Sequence, residues 1–82
     1  MPGRHRSPKK RTPIAKRLGA ALRQRRKQLT LTQEELAEEA GVSKNYVGTI
    51  ERGEQEMSVT LLISFADGLS CRASALMAEA GY

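Results

Sequence analysis

The stretch that decides the fold is TQEELAEEAGVSKNYVGTIERG, residues 32–53. It holds two short amphipathic helix patterns separated by a turn at Gly41, a residue type that tolerates the left-handed backbone needed to end a helix. Thr32 and Glu35 have the spacing of a capping box, which predicts where the first of these helices begins. Ser43 is expected to cap the second helix. Two helices joined by so tight a turn predict a helix-turn-helix.

The flanking sequence predicts three more helices. The helix before the quoted stretch begins at Thr12, which can cap it, and at Pro13, which suits the first helical position. Its apolar stripe is expected to face the core and comprises Ile14, Leu18, Ala21, Leu22 and Leu29. Gly19 inside this helix suggests a close contact with another helix. Ser58 caps a fourth helix, and a last one spans about residues 73–80. No period-2 pattern indicates a strand, so the predicted fold is all-α with five short helices.

Charge is distributed unevenly along the chain. The net charge is +5, with 14 Lys and Arg against 9 Asp and Glu. Residues 1–27 contain most of the basic side chains and no acidic one, whereas residues 28–82 are net acidic. This asymmetry predicts a polyanionic partner, with nucleic acid favoured over an anionic membrane surface. We interpret residues 1–12 as a flexible basic arm, with a solubilising tail as the alternative, and residues 13–82 as the folded domain.

The residue inventory disfavours several other classes of protein. A single cysteine, Cys71, excludes a disulfide within the chain, and with the single His5 it leaves no cluster of metal ligands. Neither a Ser/His/Asp set nor a phosphate-cradling glycine loop is present, so we expect no enzyme, no metal and no cofactor. No apolar run approaches the roughly 18 residues of a membrane span. A lone cysteine also fits the reducing cytoplasm.

The second helix of the pair presents an unusual surface. Lys44, Asn45, Tyr46 and Thr49 give it mixed polar groups with several hydrogen-bonding options. The first helix can brace such a helix in a DNA major groove, which is about 12 Å wide. The polar groups would then meet base edges.

A family resemblance supports this interpretation. The quoted stretch, followed by SVTLLISFADGLS at residues 58–70, resembles the lambda-repressor-like (Cro/repressor, or XRE) helix-turn-helix family. The resemblance covers roughly residues 14–78. It implies a compact five-helix bundle that binds an operator in double-stranded DNA as a dimer. The implied function is that of a transcriptional repressor or autoregulator. The implied location is the cytoplasm and nucleoid of a bacterium or phage host. The alternative is a protein-binding module with the same fold, an antitoxin or anti-activator; a polymerase subunit or another regulator is a further candidate partner.

The resemblance also implies roles for individual residues. Lys44, Asn45 and Thr49 occupy the positions of base readers, although Lys44 could equally contact a phosphate. Phosphate contacts are expected from the following side chains: Gln33, Tyr46 and Arg52 in the domain, and Arg4, Arg6, Lys9, Lys10 and Arg11 in the arm.

Three further expectations concern structure. Arg26 and Glu51 match a family ion pair that ties the first helix to the third. Thr30 stands where the family usually has glycine, so the turn before the second helix is expected to be either strained or differently shaped. The candidate dimer interface lies near the C-terminus and comprises Leu69, Leu76 and Met77.

Overall fold

Five helices make up the fold in the computed structural model, which describes residues 12–82. In chain order they are α1 (Pro13–Gln28), α2 (Gln33–Ala40), α3 (Lys44–Glu51), α4 (Val59–Gly68) and α5 (Ala73–Glu79). The described residues contain no strand. The prediction of an all-α, five-helix fold is therefore confirmed, while the predicted arm lies almost entirely outside the described residues.

Side-chain caps fix where four of the helices begin. The hydroxyl of Thr12 accepts a hydrogen bond from the backbone N–H of Ala15 at 3.0 Å. The capping box is complete, since Thr32 and Glu35 each accept from the other's backbone N–H, at 3.0 and 2.8 Å. Ser43 and Ser58 cap α3 and α4 in the same way. These bonds satisfy amides that a helix leaves unpaired in its first turn, and they confirm the predicted starts.

The core lies between the helices and contains seven large apolar side chains that are fully buried: Leu22, Leu36, Val47, Ile50, Phe65, Leu69 and Leu76. One part of the predicted stripe of α1 is wrong. Ile14 is 49% exposed and Leu29 is 43% exposed, whereas Ala15 is buried. Both exposed residues lie at the ends of α1, and helical periodicity alone cannot locate the edges of the buried region.

The α1 backbone lies directly against the C-terminal end of α3. A Cβ built on Gly19 would stand 2.2 Å from the carbonyl oxygen of Ile50 and 2.9 Å from that of Glu51. Backbone oxygens cannot move aside without shifting a helix, so only glycine fits. The close contact expected at Gly19 is therefore confirmed.

The turn between α1 and α2 is strained, which is one of the two expected alternatives. Thr30 has a φ of 57°, a left-handed conformation that is unfavourable for a β-branched residue. The turn is held by two backbone bonds, from Thr30 N–H to the Lys27 carbonyl and from Leu31 N–H to the Arg26 carbonyl, both 3.0 Å. This pairing satisfies the carbonyls of Arg26 and Lys27 in the last turn of α1 and requires the left-handed residue.

The predicted dimer contacts need correction. Leu69 and Leu76 are each 1% exposed, because both pack in the core of their own chain. They are therefore unavailable to a second chain, and their assignment to a dimer interface is wrong. Met77 is partly exposed.

No single described helix is long and apolar enough to cross a membrane. The helices α4 and α5 reach that length only together, and they are bent by 95° at the loop between them.

Replacing two glycines inside helices by alanine should have opposite effects on the free energy of unfolding. Gly19→Ala should lower the free energy of unfolding by about 1–3 kcal/mol or more, because its methyl group meets backbone. Gly48→Ala should raise it by up to about 1 kcal/mol, because alanine favours the helix and the nearest atom to its methyl group is the movable end of Arg52. Urea unfolding of both variants measures the difference. A Gly19→Ala protein as stable as the wild type would contradict the close approach of α1 and α3.

Candidate nucleic-acid interface

A buried ion pair joins α1 to α3. Arg26 Nε donates to Glu51 Oε2 at 2.6 Å, and Arg26 Nη2 donates to Glu51 Oε1 at 3.0 Å. The third nitrogen, Nη1, donates to the backbone oxygen of Leu31 at 2.8 Å. From α2, Gln33 Nε2 donates to Glu51 Oε1 at 3.1 Å. The predicted ion pair is confirmed, and it forms the centre of a network that connects the first three helices.

The pair is stable because each charge is well compensated. The Arg26 and Glu51 side chains are only 9% and 2% exposed. Hydrogen bonding to Glu51 raises the pKa of Arg26 above its ordinary value, although burial acts in the opposite direction. The folded pKa of this base is thus above the unfolded one, so its contribution to stability is fully present below the ordinary arginine pKa and is lost only above it. Removing one partner would leave a buried charge without compensation.

This network fixes which face of α3 is exposed. Val47 and Ile50 point into the core, whereas Lys44 and Asn45 are exposed and Thr49 is partly exposed. The Thr49 hydroxyl donates to the backbone oxygen of Asn45 at 3.1 Å. Because the hydroxyl proton is bound to its own helix, Thr49 offers a ligand its methyl group and the acceptor lone pairs of its hydroxyl oxygen. The three predicted base readers are thus on the accessible surface of one helix.

Tyr46 lies beside this surface, and the structure adds one residue that the sequence did not indicate. The Tyr46 ring packs partly against the core. Its hydroxyl oxygen accepts from Gln55 Nε2 at 3.0 Å, which leaves the hydroxyl proton free to be donated. Gln55 belongs to the polar loop after α3, and nothing in its local sequence distinguishes it from its neighbours.

Two arginines approach the interface from different sides. Arg52 follows α3, is 59% exposed and pairs with Glu54 at 3.1 Å. Arg23, on α1, was not among the predicted residues. It lines an open cleft with Gln33, Gly48, Glu51 and Arg52. Its position three residues before Arg26 could have identified it, because residues three apart are neighbours on a helix surface.

Three of the four acidic side chains of α2 lie together at a separate groove. Glu35, Glu38 and Glu39 line a groove together with Asp67, near the end of α4. The acid of α3 itself, Glu51, is buried and bound to Arg26. Within residues 12–82, no group of three or more His, Cys, Asp and Glu side chains could hold a metal ion. The predicted phosphate contacts Arg4, Arg6, Lys9, Lys10 and Arg11 lie outside the described residues.

Comparisons with a protein-family model and with individual known proteins agree with each other. A family model described as helix-turn-helix, HTH_3, matches residues 22–76. The immunity repressor protein of Bacillus phage phi105 is 36% identical over 62 residues, which cover 76% of this chain. The control protein C.SmaI of Serratia marcescens is 35% identical over 51 residues, or 62% of this chain. The chain spans 43% and 61% of the lengths of these two relatives, respectively.

One solved structure is similar to this chain in both fold and sequence. The clp gene regulator ClgR of Corynebacterium glutamicum superposes with a TM-score of 0.79 at 39% identity. The match covers 82% of this chain and 87% of that one. The same arrangement of helices therefore occurs in a protein of known structure and related sequence.

The buried ion pair should matter far more than a surface pair. Glu51→Gln should lower the free energy of unfolding by about 3 kcal/mol or more, because Arg26 then remains charged and buried without its counter-charge. Glu79→Gln is the matched control: it breaks the exposed 3.0 Å pair with Arg25 and should cost less than about 1 kcal/mol. Urea unfolding compares the two variants, and equal losses would show that the network does not hold α3 in place.

Proposed function

The chain belongs to the helix-turn-helix family, and on that premise we propose that it is a transcriptional regulator that binds double-stranded DNA with α3 in the major groove. The observation that carries the proposal is the polar, exposed face of α3, held outward by the buried Arg26–Glu51 network behind it. A helix with its side chains is about 10–12 Å across, and the major groove is about 12 Å wide. The phi105 relative is named a repressor, which favours repression or autoregulation.

Three side chains of α3 are proposed to read bases. Asn45 has an amide that can donate to and accept from adenine, and Lys44 can donate to guanine. Thr49 would present its methyl group to a thymine methyl, because its hydroxyl is bound to the Asn45 carbonyl. Each good contact discriminates against the wrong base by about 1–3 kcal/mol.

Phosphate contacts would position α3 in the groove. Tyr46 retains a hydroxyl proton that it can donate, and Arg52 is an exposed cation at the end of α3. Gln33 is held in place by its bond to Glu51 and keeps a second amide N–H for a phosphate. The basic residues of the N-terminal segment would add contacts with the DNA backbone, since each neutralised phosphate strengthens binding at low salt.

A homodimer would supply the specificity that one α3 lacks. Twofold symmetry doubles the number of readers and spaces two half-sites about one helical turn apart, near 34 Å. Because Leu69 and Leu76 are buried within the chain, we place the contact on α4 instead. Val59 is 74% exposed and Ile63 is 47% exposed, and they lie one turn apart on the same helix face.

Substitution of the proposed readers tests sequence recognition. Asn45→Ala and Thr49→Ala should each reduce the preference for DNA selected from a random-sequence library by about fivefold to a hundredfold. Binding to random DNA should change little, because it depends on phosphates. Ser74→Ala, an exposed polar position on α5, is the control. Anisotropy titrations with both DNAs give the ratio, and equal losses on selected and random DNA would reject these residues as readers.

The dimer surface can be tested separately. Ile63→Asp should shift the protein from dimer to monomer, because a carboxylate would be buried without a partner in the interface. Ile14→Asp places the same charge at a similarly exposed apolar position on α1 and should leave the dimer intact. Sedimentation equilibrium distinguishes the two. An Ile63→Asp protein that dimerises like the wild type would move the interface away from α4.

A further inference from the structure

Gly48 lies in the middle of α3, at a position where packing does not require glycine. A Cβ built there would approach Arg52 Nη1 at 3.0 Å and the amide atoms of Gln33 at 3.7 and 3.8 Å. These atoms belong to flexible polar side chains. At Gly19, by contrast, the nearest atoms are backbone carbonyl oxygens of α3. Glycine lowers the stability of a helix relative to alanine. Because packing does not require it at this position, its presence in α3 needs another explanation.

A cleft lies beside Gly48, on the α1 side of α3. The cleft has a volume of about 420 Å³ and is lined by Arg23, Gln33, Gly48, Glu51 and Arg52. Arg23 is exposed, and no carboxylate within residues 12–82 forms an ion pair with it. Arg52 contributes a second guanidinium, which is exposed and bound to Glu54.

The one carboxylate in the lining does not make the cleft acidic. Both oxygens of Glu51 accept hydrogen bonds from Arg26, and one of them also accepts from Gln33. Its charge is therefore neutralised inside the domain. What remains accessible is the Arg23 guanidinium, the Gln33 amide and the Nη1 group of Arg52, whose Nε and Nη2 both donate to Glu54. These donors can bind a single oxyanion.

We propose that this cleft binds one phosphate of the DNA backbone, with Arg23 and Arg52 donating from its two sides and Gly48 leaving the room that the phosphate needs. The proposal rests on the proposed function, because the DNA strand reaches the cleft only when α3 lies in the major groove. It adds Arg23 and Gly48 to the DNA-binding residues. It also extends the footprint from α3 onto α1, beyond the side chains that the family resemblance implies.

Charge removal at Arg23 tests the first part. Arg23→Gln should reduce the slope of log affinity against log salt by about 0.9, the value for one neutralised phosphate. Arg17→Gln is the matched control, since Arg17 is on the same helix but lies over the Tyr82 ring at 5.6 Å. It should leave the slope unchanged. The probe is a fluorescent 24-base-pair duplex of random sequence, titrated by anisotropy at several salt concentrations.

Filling the cleft tests the second part. Gly48→Ala should weaken binding to the same duplex by about tenfold, the loss of one hydrogen bond to a charged group, while its melting temperature stays at or above that of the wild type. A Gly48→Ala protein that is folded and binds like the wild type would overturn the proposal. Equal slopes for Arg23→Gln and Arg17→Gln would overturn it even if Gly48→Ala did not fold. In both cases the proposed function would still stand, provided that the wild-type protein binds the duplex. A wild-type protein that bound no duplex would contradict both the proposed function and the cleft proposal.

Discussion

The orientation of α3 depends on one buried ion pair, between Arg26 and Glu51. Four hydrogen bonds meet at this pair and connect α1, α2 and the segment between them to α3. Two charges in so small a core would be costly if their geometry were imperfect. The bidentate pairing of the two side chains and the bond from Gln33 meet this requirement. The same contacts turn Val47 and Ile50 inward, so that Lys44, Asn45 and Thr49 lie outside.

Packing around the pair leaves little freedom for the neighbouring residues. The α1 backbone approaches the end of α3 so closely that Gly19 cannot carry a side chain. The turn before α2 accepts an unfavourable left-handed Thr30, which brings the Leu31 carbonyl to Arg26. Acidic side chains of α2 lie toward α4. The result is a domain whose α3 side presents exposed polar groups together with the basic side chains of Lys44 and Arg23.

Local chemistry explains how much of this could be predicted from the sequence. The helix starts were predictable because Thr12, Thr32, Ser43 and Ser58 cap them through bonds within three residues. The buried faces were only partly predictable: Ile14 and Leu29 continue the apolar stripe of α1 but lie beyond the region that other helices cover. Leu69 and Leu76 are apolar enough for either a core or an interface, and only the packing of α4 against α5 decides between them. The cleft beside Gly48 combines α1, α2 and α3, so no local pattern indicates it.

The most direct test of the central claim is an amide NMR titration of the protein with duplex DNA selected from a random library. If α3 enters the groove, the largest chemical-shift changes will lie at Gln33 and across residues 44–55, and those of Ala73–Glu79 will stay small. Changes concentrated on α4 and α5, with α3 unaffected, would contradict the account.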